Sequence, residues 1–422
     1  MSTKRFLVAL PLFFLYSGVS VGSVGSVGSL APASPQLIRV RLSEAQSQVK
    51  VRGYDLEFYE MNDGVSKFMK AADQVSEWLV TCSSQGIRAV RMDQSVLTEK
   101  KRVLELGSSL RVHASTGFFQ FEGRPYRDEL RIYSREGRCQ VVNHVSLEKY
   151  LDGLVNAEFS SKWNPEAIAA QVVAARTYAY YQILDARKNQ NSKYDVDSTV
   201  KDQVYDGPVH EDSQASRIVE KTKGVVLTAM SGLLAVPIKA FYHSTCGGET
   251  ELPQNVWGDS YLGIKRTVKC PYCVSSPRFK WSLSLRATAI TEVLRRQLLP
   301  QSSQQGAALI DLKINHHRGG NGVGGRVSTV DVLWSTKGGP LHASVPAAKF
   351  REWMGYARFR STSFQIEPHI QGSQRYFTFR GVGNGHGVGM CQWGAKVMGE
   401  KGFKMAAILK YYYPDAKLKK LW

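Results

Sequence analysis

The chain has 422 residues, 43% hydrophobic and 22% charged, which excludes a disordered polymer and suffices for more than one domain or one large elaborated one. With 55 basic against 36 acidic side chains, the net charge is +19. Such an excess favours a polyanionic partner: nucleic acid, anionic lipid or an acidic polysaccharide.

Lys4 and Arg5 precede an uncharged apolar run from Phe6 to Tyr16, and small residues with a repeated GSV follow. A basic start, a short apolar core and small residues make the pattern of a secretory signal over residues 1–35. The core is shorter than the ~20 residues of a membrane-spanning helix, so no stable span is expected after cleavage. Several small-x-small positions between Ser17 and Ser34 suit cleavage, and no cysteine there offers a lipoprotein anchor. Export to the periplasm or cell envelope removes cytoplasmic nucleic acid as the expected partner. The basic charge then points to an acidic polymer of the envelope.

Residues 36–145 are mostly strand-like, as in LIRVRL from Leu37, where basic and apolar residues alternate. Within them, Phe68, Ala72, Val75, Trp78 and Leu79 stand at helical spacing, which predicts one helix. From Ser146 to Val155 a short amphipathic helix is expected, with Ser146 as its cap. The main helix follows. Asn164 caps it, Pro165 suits its first position, and it runs to about Arg187. Between Ala167 and Leu184 its only charge is Arg176, so the helix is expected to be buried on nearly all sides. Beyond a polar loop from Lys188, strands and short helices alternate to the C-terminus. The fold class is thus mixed α/β (α+β), with a β-rich part at 36–145 and a larger part, 146–422, packed around the buried helix at about 165–187.

Four features could carry chemistry. Glu158 lies between Ala157 and Phe159 just before the buried helix; an apolar pocket raises a carboxyl pKa and lets it act as an acid at neutral pH. Arg176 needs a carboxylate or several carbonyls if buried, and either a structural tie or a pairing with Glu158 satisfies it. His243 and Cys246 form H-x-x-C, and Cys270 and Cys273 form C-x-x-C. One histidine and three cysteines match a structural zinc site, whereas export equally permits a disulfide from Cys246 to Cys270 or Cys273. Finally, glycine recurs at every second position from Gly381 to Gly389, through Gly385, beside His386, Cys391, Gln392 and Trp393. Such glycines let backbone approach a ligand or adopt positive φ, and the alternative is a tight turn into a helix near Gln392. Cys391 suits packing at a helix start better than nucleophilic attack. Tyr411–Tyr413, Trp353 and Tyr356 suit either sugar stacking or a core.

SLEKYLDGLVNAEFSSKWNPEAIAAQVVAARTYAY, STVKDQVYDG, VPIKAFYHSTCGGETE, NVW and GHGVGMCQWGAKVMGEKGF occur in one order. Together, over about residues 37–416, they resemble the stage II sporulation protein D family, whose relatives include the LytB amidase enhancers. The resemblance implies a lytic transglycosylase of peptidoglycan. It would cleave the bond from N-acetylmuramic acid to N-acetylglucosamine in strands stripped of stem peptides and leave 1,6-anhydromuramic ends. The family's catalytic glutamate maps onto Glu158, and Arg176, His243, Gly385, His386 and Gln392 match motif positions expected to bind substrate. No cofactor is required for that reaction.

Two departures qualify the match. The residue before Gln392, commonly serine in the family, is Cys391. Some relatives hold zinc with residues of the loop after the main helix, but here that loop has no cysteine, so any metal would have to use Cys246, Cys270 and Cys273. The LytB branch implies an alternative: a glycan-binding activator of a cell-wall amidase that cuts nothing itself.

Overall fold

The computed structural model describes residues 36–422 except 63–64, 71–73, 93–102, 159, 161, 190–191, 300 and 317–324. The signal-like segment lies outside the described residues. Residues 35–422 form one compact unit. Its composition, 28% helix and 44% strand, is mixed α+β with a β-rich N-terminal part.

The N-terminal part is one large sheet, antiparallel except where Val196–Asp197 runs parallel to Leu37–Gln46 at its edge. The alternation of LIRVRL decides how this edge forms. Ile38 and Val40 point into the core, while Arg39 and Arg41 pair with Asp195 and Asp197, each at 2.7 Å. The opposite face of the first strand therefore fastens the loop that follows the main helix.

The helix expected around Phe68–Leu79 is instead two strands, Val65–Lys70 and Val75–Ser83. The buried residues of the second are Ser76, Trp78, Val80 and Cys82, a period of two, while Phe68 is exposed. Ladder partners, the non-local strand Gln48–Tyr54 and the adjoining hairpin strand Gly86–Arg91, supply the backbone hydrogen bonds and override the helical spacing. Cys82 is joined to Cys139 by a disulfide, tying this strand to Arg138–Ser146.

Helix α1 is Leu147–Glu158 and helix α2 is Pro165–Lys188. The Glu166 N–H donates to the Asn164 side chain at 2.9 Å, so the cap expected from sequence forms. Two apolar stripes then bury α2 from both sides. Ile168, Val172, Ala175, Ala179 and Ile183 pack toward the large sheet and α1. Ala170, Val173, Ala174 and Tyr178 pack on a second core with Phe241, Met390, Cys391, Ala395 and Tyr412. Each fully buried Val or Ile is worth ~1.5–3 kcal/mol of transfer free energy, which explains the scarcity of charge on this helix.

A third core belongs to residues 281–379: two three-stranded sheets with helices Ala287–Leu298 and Ala347–Met354 around Trp281, Trp334, Phe350 and Phe379. The C-terminus returns through helices Gln392–Glu400 and Met405–Tyr412 to the second core. No helix among the described residues is long and apolar enough to cross a membrane.

Candidate functional site

A cleft of about 900 Å³ runs where α1, α2, the Gly-rich loop and residues 351–362 meet. Glu158, the last residue of α1, lines it together with His243, Gly385, His386 and Gln392. These expected residues, far apart in sequence, are brought together.

Glu158 is held by the loop after α2, within STVKDQVYDG. Val204 N–H donates to its Oε1 at 2.8 Å. That loop is fixed by the buried side chain of Gln203. The Tyr150 hydroxyl of α1 donates to its Oε1 at 3.0 Å, and its Nε2 donates to the Tyr242 hydroxyl at 2.9 Å. Burial pushes the Glu158 carboxyl up to about 7, against the opposing pull of the Val204 N–H and the nearby Gln392 side chain. The position at the negative end of the α1 dipole acts in the same direction as burial. The Gln392 amide lies alongside, yet its Nε2 has no partner within hydrogen-bond distance. His243 likewise leaves Nε2 unpartnered, while its Nδ1 lies 3.1 Å from the Val388 carbonyl oxygen. Burial drives the His243 imidazole down to about 3, so it is neutral near pH 7. His386 is lowered for the same reason, and its Nδ1 accepts from the Val388 N–H at 3.0 Å.

The Gly-rich loop brings the histidines together. Gly383, Gly385, Gly387 and Gly389 all adopt positive φ, whereas Gly381 ends in an ordinary strand. At Gly385, with φ of 109°, a Cβ would sit 2.8 Å from the Cβ of His243. The alternate glycines therefore permit close approach of this loop to the His243 strand.

Arg176 does not line the cleft, contrary to the expectation that it binds substrate. It is fully buried and donates to Glu148 (Nη2 to Oε2, 2.8 Å) and to the Val219 carbonyl at 3.1 Å. It ties α2 to α1, to helix α3, Ser213–Lys221, and to Thr222 just after it. A guanidinium inside an apolar helix needs an ion pair and carbonyls, and these lie away from Glu158.

The other carboxylate lining the cleft, Asp202, accepts from the Tyr178 hydroxyl at 2.6 Å, from Gln182 at 3.0 Å and from the Asp197 N–H at 2.8 Å. Its oxygens are occupied in holding the loop. Lys201, Arg278, Arg351 and Arg360 also line the cleft, and give it a basic rim that spacing alone did not reveal. Trp257 stacks on Phe241 at 4.6 Å and lies 5.0 Å from His386. Tyr356 is exposed on the cleft, whereas Tyr412 and Tyr413 belong to the core and Trp353 packs on the third core.

The expected ligand set of His243, Cys246, Cys270 and Cys273 changes in one member. The three cysteines do converge, but His243 turns to the cleft and Val388, and the fourth group is Cys391. Cys391 caps the helix Gln392–Glu400, with its Sγ accepting from the Gly394 N–H at 3.4 Å.

The sequence model of the SpoIID family, "Stage II sporulation protein", matches residues 135–228, which hold α1, α2 and Glu158. A domain of unknown function, DUF8618, matches residues 272–389, which hold the third core and most of the Gly-rich loop. The chain is 29% identical to an uncharacterised protein of Brachyspira hyodysenteriae over 70% of this chain and 72% of that protein. It is 29% identical to the amidase enhancer of Bacillus subtilis over 64% of this chain, but spans only 40% of that protein. To stage II sporulation protein D of Bacillus subtilis it is 28% identical, over 66% of this chain and 76% of that protein. Residues 135–228 thus match the SpoIID family model, and over about two thirds of its length the chain is similar to proteins named stage II sporulation protein D and amidase enhancer.

Proposed function

We propose that this protein acts on the bacterial cell wall as a lytic transglycosylase of peptide-stripped glycan strands, and that it is exported to the envelope to do so. The observation that carries the reading is Glu158: a carboxyl on a cleft of about 900 Å³, protonated up to about pH 7, while Asp202 on the same cleft is engaged by Tyr178, Gln182 and the Asp197 N–H.

A single carboxylate suffices. Glu158 gives its proton to the glycosidic oxygen as the bond from that oxygen to muramic C1 breaks. The C6 hydroxyl of the same sugar then bonds to C1 and returns its proton to Glu158. The product is a 1,6-anhydro end, with no water consumed and the enzyme regenerated. Ordinary glycosidases use two carboxylates, one for each proton or nucleophile role. The Val204 N–H steadies the carboxylate between the steps. His243, Gly385, His386 and Gln392 wall one side of the cleft and would contact the sugars there. Lys201, Arg278, Arg351 and Arg360 suit the lactyl carboxylates that remain on stripped glycan.

Purified protein incubated with denuded glycan tests the reading. Anhydro ends should appear by mass spectrometry and vanish with Glu158→Gln, whose circular dichroism should match that of the parent. Turnover unchanged by Glu158→Gln would remove this residue from the mechanism.

The similarity to an amidase enhancer favours a second reading, a glycan-binding activator of a cell-wall amidase. Glycan binding without any cleavage, together with stimulation of an added amidase, would support it.

A further inference from the structure

Four thiols take no part in that chemistry. Cys246, Cys270, Cys273 and Cys391 are all buried, and their sulfurs lie within 4.8 Å of one another. They arrive from three segments: the turn after Tyr242–His243, the CPYC turn that opens the short helix Pro271–Ser275, and the cap of Gln392–Glu400. Gly247 and Gly248, both at positive φ, wrap the first of these around the cluster. Sulfurs bound at ~2.3 Å to one tetrahedral zinc stand nearly 4 Å apart, whereas a disulfide holds them at ~2.05 Å. The Sγ atoms of Cys246 and Cys273 are 3.4 Å apart, and the cluster is four-way rather than two separate pairs.

The surroundings suit thiolates. Cys391 Sγ accepts from the N–H groups of Cys246 at 3.3 Å and Gly394 at 3.4 Å, and the Tyr412 hydroxyl lies 3.2 Å from Cys270 Sγ. Such donors are the outer shell that orients metal-bound sulfur. A guanidinium also lies against the cluster. Arg326 is buried and donates to the Cys246 carbonyl at 2.9 Å and to Thr362 Oγ1 at 3.2 Å, with no carboxylate in ion-pair contact among the described residues. A tetrathiolate zinc centre is net negative and would add to the counter-charge that Glu251 supplies from nearby.

We propose that Cys246, Cys270, Cys273 and Cys391 bind one structural zinc ion as a closed tetrathiolate site beneath the cleft. Each thiol releases its proton on binding and no electron is transferred. Four protein ligands leave no open position, so the ion is a fastener and not a catalyst. What it fastens is the site. His243 pairs with Cys391 in a parallel strand register, and Gln392 is the next residue. The ion would lock the strand of His243 to the start of the helix that presents Gln392 to Glu158.

Metal analysis of the purified full-length chain should give one zinc per molecule. A mercurial titration should release that zinc as the four thiols react, with Cys82 and Cys139 silent as a disulfide. Replacement by cobalt should give the visible spectrum of a tetrahedral thiolate site. Cys270→Ser should weaken zinc binding beyond the ~10–100-fold that loss of an outer-shell partner costs, while His243→Ala should leave zinc content unchanged. A zinc-free chain with disulfides among these four cysteines, found by peptide mapping, would overturn the proposal. So would loss of zinc in His243→Ala. None of these readouts involves glycan, so the zinc site stands or falls separately from the transglycosylase reading.

Discussion

Arg176 pairs with Glu148 at 2.8 Å and not with Glu158, although both glutamates stand on α1. The two ends of one helix thus serve different purposes. Its first turn anchors the buried guanidinium of α2, and its last residue keeps a carboxyl free for the cleft. Had the cation met Glu158, it would have favoured the ionised form and removed the proton the reaction needs.

Arg176→Ala should therefore act on stability. It leaves Glu148 without its partner and should cost ~3–5 kcal/mol, read from urea unfolding. The pH profile of the remaining activity should not move, because Arg176 does not touch Glu158.

The pH dependence follows from Glu158. Its carboxyl is raised to about 7, so it is protonated below that value and ionised above it. The first step needs the proton. The turnover of denuded glycan should be level below pH 7 and then fall about tenfold per pH unit above it. A limb near the ordinary glutamate value of ~4.3 would mean that burial does not govern this group.

Gln203→Ala should shift that limb without touching the substrate. Gln203 positions the loop whose Val204 N–H reaches Glu158, and that bond favours the carboxylate. A hydrogen bond to a charged group is worth ~1.5–3 kcal/mol, so its loss should raise the limb by about one to two pH units. A fall in rate with the limb unmoved would assign Gln203 a purely structural part.

Trp257→Ala tests the aromatic wall. Its ring is partly exposed, stacks on Phe241 and borders His386. Loss of a stacking face worth ~0.5–1.5 kcal/mol should raise KM for glycan by up to about tenfold with kcat little changed.

The disulfide can be tested by itself. Replacing Cys82 and Cys139 together with serine should lower stability by ~2–5 kcal/mol in thermal unfolding, while the four clustered thiols stay in place.

The sequence by itself determined the local elements of the site. Asn164, Pro165 and an unbroken apolar run specify α2, because a cap and two-sided burial are written within one turn or one helix. Its ordered motifs likewise placed Glu158, His243, Gly385, His386 and Gln392 in one family pattern. Tertiary structure alone decided the partners. The N–H that meets Glu158 comes from Val204, 46 residues on, and the thiol that joins Cys246 comes from Cys391, 145 residues on. It also turned the helical spacing around Phe68–Leu79 into strands, because ladders to Gln48–Tyr54 and to the next strand, Gly86–Arg91, supplied the hydrogen bonds. Spacing encodes which residues share a helix face or a turn, but which chain segment arrives opposite is set by packing of the three cores.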